Sequence, residues 1–229
     1  MDALYIVATP IGNLGDITHR AVEVLRSADL IAAEDTRVTR KLLSAYGIST
    51  PLTSYHAHSP AKKQAELIAR LAAGASVALV TDAGTPGISD PAVRLVRAAV
   101  EAGVAVVPVP GPTALIAALS ASGLPTDTFT FEGFLSTKSG RRKRRLEELA
   151  ALGHTVVLYE SPRRLKKLLA ELAETFGPER PCVVAREVSK RYEEFIRGSV
   201  ADIGEALADR EVKGEVTVLV GAAPKKAPS

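Results

Sequence analysis

Along the first half of the chain, short, largely apolar runs alternate with stretches whose apolar positions recur every three to four residues. "ALYIVAT" (3–9) predicts a strand, whereas "THRAVEVLRSA" (18–28) places its apolar positions on one face and predicts a helix. Thr18 is the N-cap of that helix, its hydroxyl accepting from an amide that the first turn leaves unpaired. The alternation continues with strands "LIAAE" (30–34), "SVALVT" (76–81) and "VAVVPVP" (104–110). Between them lie helices "TRVTRKLLSAY" (36–46), "SPAKKQAELIARLAAG" (59–74) and "DPAVRLVRAAVEAG" (90–103), the first closed by Gly47. Strands this apolar, joined by helices, predict a mostly parallel sheet with helices on both faces.

Beyond Gly123 the pattern changes. "LPTDTF" (124–129) is a linker, and "TFTFEGFL" (128–135) alternates in the manner of a half-exposed strand. Helices "RRKRRLEELAAL" (141–152), "PRRLKKLLAELAETFG" (162–177) and "ADIGEALAD" (201–209) follow, among strands "TVVLYE" (155–160), "CVVARE" (182–187), "EEFIRGS" (193–199) and "GEVTVLVGA" (214–222). Some neighbouring strands leave no room for a crossover helix, so this sheet is expected to be mixed. The fold class is α/β in two domains, 1–122 and 123–222, with 223–229 as a frayed tail.

Composition narrows the class. A chain of 229 residues, 46 % hydrophobic, can bury one large core or two small ones. Cys182 is the single cysteine, which excludes a disulfide framework and a clustered thiolate metal site and suits the cytoplasm. "MDALYIVATP" has no basic leader, and its apolar run is too short to span a bilayer. The net charge of +3 is unevenly spread. Lys138, Arg141, Arg142, Lys143, Arg144 and Arg145 crowd "KSGRRKRR" (138–145), and Arg163, Arg164, Lys166 and Lys167 crowd "SPRRLKK" (161–167). Such clusters either meet a polyanion, nucleic acid above all, or form a solvated helix face balanced by Glu147 and Glu148.

Several chemistries have no motif here. There is no P-loop, no G-x-G-x-x-G, no H-E-x-x-H and no G-x-S-x-G, and the chain holds four histidines. What remains is a set of Gly/Pro-rich turns, each at the carboxyl end of an apolar strand: "TPIGNLGD" (9–16), "TDAGTPGISD" (81–90) and "PVPGPTAL" (108–115). In open α/β sheets that edge forms the crevice where ligands sit, the alternative being tight corners and nothing more.

In order along nearly the whole chain stand "VATPIGNLGDIT", "AAEDTR", "TDAGTPGISDP", "PVPGPTALIAALSASGLP", "FEGFL", "LYESPRR", "AREVSK" and "KGEVTVLV". Through these segments the sequence resembles the ribosomal-RNA-modifying branch of the tetrapyrrole methylase superfamily. "AEDTR" and "DAGTPGISDP" set this branch apart from the corrin and porphyrinogen methylases. The resemblance implies a bilobal fold, a homodimer, and S-adenosyl-L-methionine held in the inter-domain cleft. It implies methylation of a cytidine 2′-hydroxyl in the decoding region of 16S rRNA, on the small ribosomal subunit. It places Ile11, Asp82, Ala83, Gly84, Thr85, Ile88, Thr113 and Ala114 around the cofactor, with Tyr159, Ala185, Gly214, Glu215 and Val216 flanking its adenosine. A donor carrying a sulfonium and an ammonium but no phosphate suits a site with a carboxylate, bare backbone and no P-loop.

Transfer to oxygen is an in-line displacement, so positioning supplies much of the rate, and a base helps remove the hydroxyl proton. Glu34 and Asp35 are the candidate catalytic carboxylates, although Asp35 or Thr36 equally suits a helix cap. Arg37 is suited to grip a phosphate, and His56 and His58 are candidate substrate contacts or members of a solvated loop. Lys138, Arg141, Arg142, Arg144, Arg145 and Arg163 are expected to hold RNA phosphates, with Phe134 and Tyr159 available to stack a base, although Phe131 and Phe134 equally suit the core. No metal is expected. Two rival functions remain: a methylase of this fold acting on a tetrapyrrole or protein substrate, and a non-catalytic RNA-binding module.

Overall fold

The computed structural model describes residues 2–223, so the expected tail, residue 223 aside, lies outside the described residues. The chain divides into two compact units, 1–113 and 114 onward.

The first unit contains strands β1 (Ala3–Val7), β2 (Leu30–Ala33), β3 (Leu52–Ser54), β4 (Val77–Val80) and β5 (Ala105–Val109). They lie in the order β3-β2-β4-β1-β5, every pairing parallel. In β4 all four side chains are buried, which is why the run shows no polar alternation. Ala78 and Val80 face Leu25 of α1 (His19–Ser27) and Leu43 of α2 (Thr36–Ala45). Val77 and Leu79 face Leu67 of α3 (Ala61–Ala72) and Leu95 of α4 (Val93–Glu101) on the other side. Thr18 caps α1 as expected, accepting from the Ala21 amide. Strand β3 has no counterpart in the sequence reading, because three partly exposed edge residues make no apolar run. The chain leaves β1 toward one face and β4, its neighbour, toward the other; a divergence of this kind opens a crevice at the carboxyl edge.

The second unit contains α5 (Ala114–Ser120), β6 (Phe129–Phe134), α6 (Ser139–Ala150), β7 (Thr155–Glu160), α7 (Leu165–Phe176), β8 (Pro181–Arg186), β9 (Glu194–Ser199), α8 (Val200–Ala206) and β10 (Val216–Val220). The order is β6-β7-β10-β8-β9, with β6 parallel to β7 and the remaining pairs antiparallel, a mixed sheet. Helices α6, α7 and α8 cover one face, where Leu146, Leu168 and Ile203 meet Val156, Leu158 and Val218. Helix α5 covers the other, Leu115, Ala118 and Leu119 packing on Val157, Val183 and Leu219. That packing puts residues 114–122 with the second unit, whereas the sequence reading set the boundary after 122. "ALIAALS" is short and nearly all apolar, so periodicity alone cannot identify it as a helix. Among the described residues, no helix is long and apolar enough to cross a membrane.

One basic residue of "KSGRRKRR" lies inside this unit. Arg142 is 3 % exposed, its Nη2 facing Glu160 Oε2 at 2.9 Å and its Nε bonded to Glu171. Glu160, itself buried, also receives the Arg164 guanidinium at 2.6 Å. The expectation that Arg142 holds RNA is therefore corrected: it lies on the buried stripe of α6 with Leu146 and Leu149 and neutralises two carboxylates.

Candidate functional site

The Gly/Pro loops of the first unit are tied to one another at the carboxyl edge of its sheet. Thr9 and Gly84 exchange backbone hydrogen bonds of 2.9 and 3.0 Å, and the Thr9 hydroxyl donates to the Thr81 carbonyl at 3.1 Å. Gly84 takes φ +85°, a region in which any other residue is strained. The Thr85 hydroxyl donates to the Pro112 carbonyl at 3.0 Å, joining the loop after β4 to the loop after β5. Gly111 passes so close to Ala8 that a Cβ there would stand 2.9 Å from the Ala8 Cβ. Bare backbone is thus a steric requirement at this edge. Ile11 is buried beside Gly84, while Ala83 and Ile88 are exposed and Thr85 and Thr113 partly so.

The loop after β2 joins the same cluster. The Asp35 amide donates to Asp82 Oδ1 at 2.9 Å, and the Thr81 hydroxyl donates to Glu34 Oε2 at 2.6 Å. Three carboxylates therefore meet, and their surroundings separate them. Asp35 caps α2, accepting from the Arg37 amide at 2.8 Å, and pairs with the Arg37 guanidinium at 2.6 Å. Hydrogen bonds from Arg37 pull its pKa down to about 2. That environment favours the charge and makes Asp35 a weaker proton acceptor than an ordinary carboxylate. Asp82 is shifted the other way, raised by partial desolvation and then by the nearby charges of Glu34 and Asp35. Arg37, though its side chain is 85 % exposed, is already engaged by Asp35.

Sequence reasoning missed Asp90. Its carboxylate accepts from the Gly87 amide at 2.8 Å and from the Ala92 amide at 2.7 Å, bracing a loop in which Ser89 sits at φ +62°. Burial raises its pKa. The signal was present: an aspartate directly before a proline favours such side-chain turns.

The other expected residues lie in the loop after β3 or in the second unit. The His56 and His58 rings lie 6.2 Å apart in a turn where the His58 amide donates to His56 Nδ1 at 3.2 Å. In the second unit, the Tyr159 hydroxyl accepts from the Leu115 amide at 2.9 Å, and its ring meets Phe131 at 4.9 Å and Phe134 at 5.7 Å. Ala114 is partly buried at the start of α5. Ala185 is fully buried against the α5 side of the sheet, where its methyl belongs to the core. Gly214 takes φ +87°, and a Cβ there would collide with the Glu187 side chain, which also accepts from the Glu215 amide at 2.9 Å. Val216 is buried.

The basic residues divide by partner. Lys138, Arg141 and Arg163 are exposed, and Arg144 is exposed with Glu148 at 3.8 Å. Arg145, its side chain 42 % exposed, is engaged by Glu132 at 2.7 Å and Glu148 at 2.8 Å. Among the described residues, no group of His, Cys, Asp and Glu is arranged to hold a metal ion.

Comparison with known proteins bears on this geometry. The family model described as Tetrapyrrole (Corrin/Porphyrin) Methylases matches residues 3–204. A Synechocystis sp. protein named Ribosomal RNA small subunit methyltransferase I is 53 % identical over 230 residues, covering 100 % of this chain and 82 % of its own. Proteins of that name from Mesorhizobium japonicum and Vibrio cholerae are each 51 % identical, covering 98 % and 95 % of this chain and 77 % and 76 % of theirs. Among solved structures, a cobalt precorrin-4 methyltransferase superposes with a TM-score of 0.72 at 21 % identity, over 96 % of this chain and 95 % of its own. A uroporphyrin-III-C-methyltransferase from Thermus thermophilus superposes at 0.66 with 24 % identity, over 96 % and 94 %. At such identities the structural likeness speaks for the fold alone.

Proposed function

The chain belongs to the tetrapyrrole (corrin/porphyrin) methylase family, and from that premise we propose that it methylates the 2′-hydroxyl of a cytidine in the decoding region of 16S ribosomal RNA. S-adenosyl-L-methionine is the proposed donor and the small ribosomal subunit the proposed substrate. The observation that carries the reading is the match, over 98–100 % of this chain and 77–82 % of theirs, to relatives named Ribosomal RNA small subunit methyltransferase I.

The carboxyl edge of the first sheet fits such a donor. The donor supplies an electrophilic methyl on a sulfonium and carries an ammonium but no phosphate. Asp82 is an exposed carboxylate able to pair with that ammonium, and the exposed Gly111 leaves main-chain atoms accessible near it. The hydrogen bonds from Thr9 and Thr85 hold these loops in place, so that orientation is built before binding. Glu34 is the proposed acceptor of the hydroxyl proton, since Arg37 holds Asp35 ionised. The adenosine contacts assigned to Tyr159 and 214–216 belong to the same proposal. So do phosphate contacts from Lys138, Arg141, Arg144 and Arg163, and action as a homodimer in the cytoplasm.

Incubation with tritiated S-adenosylmethionine and unmethylated small subunits tests the reading. Label is expected in an alkali-resistant dinucleotide from 16S RNA, because a 2′-O-methyl group blocks strand cleavage. Label that enters an added porphyrinogen and not the subunit would overturn it in favour of the tetrapyrrole rival.

A further inference from the structure

The turn that joins β8 to β9, "EVSKRYE" (187–193), has no part in the chemistry above, yet its backbone is held in a costly shape. Glu187 and Ser189 take φ +51° and +69°, a region disfavoured for residues other than glycine. Such backbone persists only where its surroundings over-determine it, and it clusters at functional sites. The ties here are dense. The Glu187 amide donates to the Glu215 carbonyl at 2.9 Å, and its carboxylate accepts from the Glu215 amide at 2.9 Å. The Lys190 ammonium lies 2.9 Å from the Glu187 carboxylate and 3.1 Å from that of Glu215. The Ser189 amide donates to Glu193 at 2.6 Å, and Val188 packs inward on the α5 side of the sheet.

This braced turn presents one ring to solvent. Tyr192 is 64 % exposed, the most of any large hydrophobic side chain among the described residues. The guanidinium of Arg191, itself exposed, stands 5.6 Å from the ring centroid, within cation–π range. Two other arginines stand over rings in this unit, but there Phe176 is buried and Phe195 half-buried. The charge of Arg191 is also unshared. Lys190 takes Glu187 and Glu215, Arg186 and Arg210 take Glu194, and Glu193 accepts from the Ser189 amide. Among the described residues Arg191 makes no ion pair.

An exposed ring with a guanidinium on one face and an unshared positive charge beside it fits a nucleobase joined to its phosphate. Bases stack on tyrosine largely without regard to sequence, because every base has a π-face. A protein partner covers about 800 Å² on each side, whereas this turn offers one ring and no apolar patch, Val188 being turned inward. We propose that Tyr192 and Arg191 form a stacking platform for an unpaired nucleotide of the rRNA substrate. The ring carries the base, and Arg191 meets the adjoining phosphate. The bonds between Glu187 and Glu215 fix the platform beside 214–216, the segment proposed to flank the adenosine. The inference rests on the rRNA reading above and adds a contact that holds RNA without touching the reacting atoms.

The test compares Tyr192→Ser, Tyr192→Phe and Arg191→Ser with the unaltered protein. Filter binding to unmethylated small subunits at several salt concentrations gives affinity and salt slope. Methyl transfer gives kcat and KM, calorimetry with S-adenosylhomocysteine gives cofactor affinity, and sedimentation and thermal unfolding give mass and stability. Tyr192→Ser is expected to weaken subunit binding about tenfold with no change in salt slope, since stacking releases no counterions. Its loss falls on KM and not on kcat. Tyr192→Phe keeps the ring and restores binding, and Arg191→Ser lowers the salt slope by about 0.7. Cofactor affinity, mass and unfolding midpoint stay unchanged in all three. Unaltered subunit binding by Tyr192→Ser would overturn the proposal, as would failure of Tyr192→Phe to restore it. Weakened cofactor binding would give the turn to the methyl donor, and a change in mass would give the ring to a second copy of the chain; either overturns it. If the unaltered protein transfers no methyl to the subunit, the rRNA reading itself fails and this inference with it.

Discussion

Glu34, Asp35 and Asp82 are within two hydrogen bonds of one another, yet Arg37 stabilises the charge on one while desolvation penalises it on another. For Asp82 the sign has two consequences. A carboxylate whose folded pKa is raised opposes stability at neutral pH, and that penalty disappears as pH falls through the raised value. Asp82→Asn is therefore expected to leave the unfolding midpoint unchanged or slightly higher, while weakening S-adenosylhomocysteine binding about tenfold through removal of a charge-assisted hydrogen bond. Calorimetry across the acid range should show affinity of the unaltered protein falling at a pH above the ordinary aspartate value, and a flat profile for the variant. Arg142 tests the opposite kind of residue. Arg142→Met leaves Glu160 and Glu171 without their buried partner and should cost about 3–5 kcal/mol in urea unfolding. "RRKRR" hides this arginine among surface ones, and its spacing of four and seven residues from Leu146 and Leu149 was the available signal.

Helix α6 shows what an element-level reading gains once the buried position is removed. Arg141 and Arg144 remain exposed on it, with Arg163 exposed in the turn before α7. Replacing these three with serine is expected to weaken subunit binding and lower the salt slope by roughly 0.7–0.9 for each phosphate left unneutralised. Unfolding and cofactor affinity should not change, and filter binding at several salt concentrations reads the slope. Strands and helices with long periodic patterns were legible in the sequence; β3 and α5 were not, one being too short and the other lacking a polar face. The loops were legible as glycine–proline turns, but not as a set bonded to one another. Gly111→Ala probes that set. Its methyl would press on Ala8, displacing the loop after β5, so cofactor affinity should drop several-fold in calorimetry with a modest loss of stability.

Across the molecule, the strand order of the first sheet converts distant sequence into a site. Residues 9, 34, 82 and 111 share one edge because parallel strands present all their carboxyl ends together. Apolar runs and intervening helices announced a parallel sheet, but not the order β3-β2-β4-β1-β5, which depends on long-range pairing. A crystal structure with S-adenosylhomocysteine tests whether these loops form the donor site. The account predicts the ligand against Gly84 and Thr113 with its ammonium on Asp82, and a ligand bound away from those three residues would contradict it.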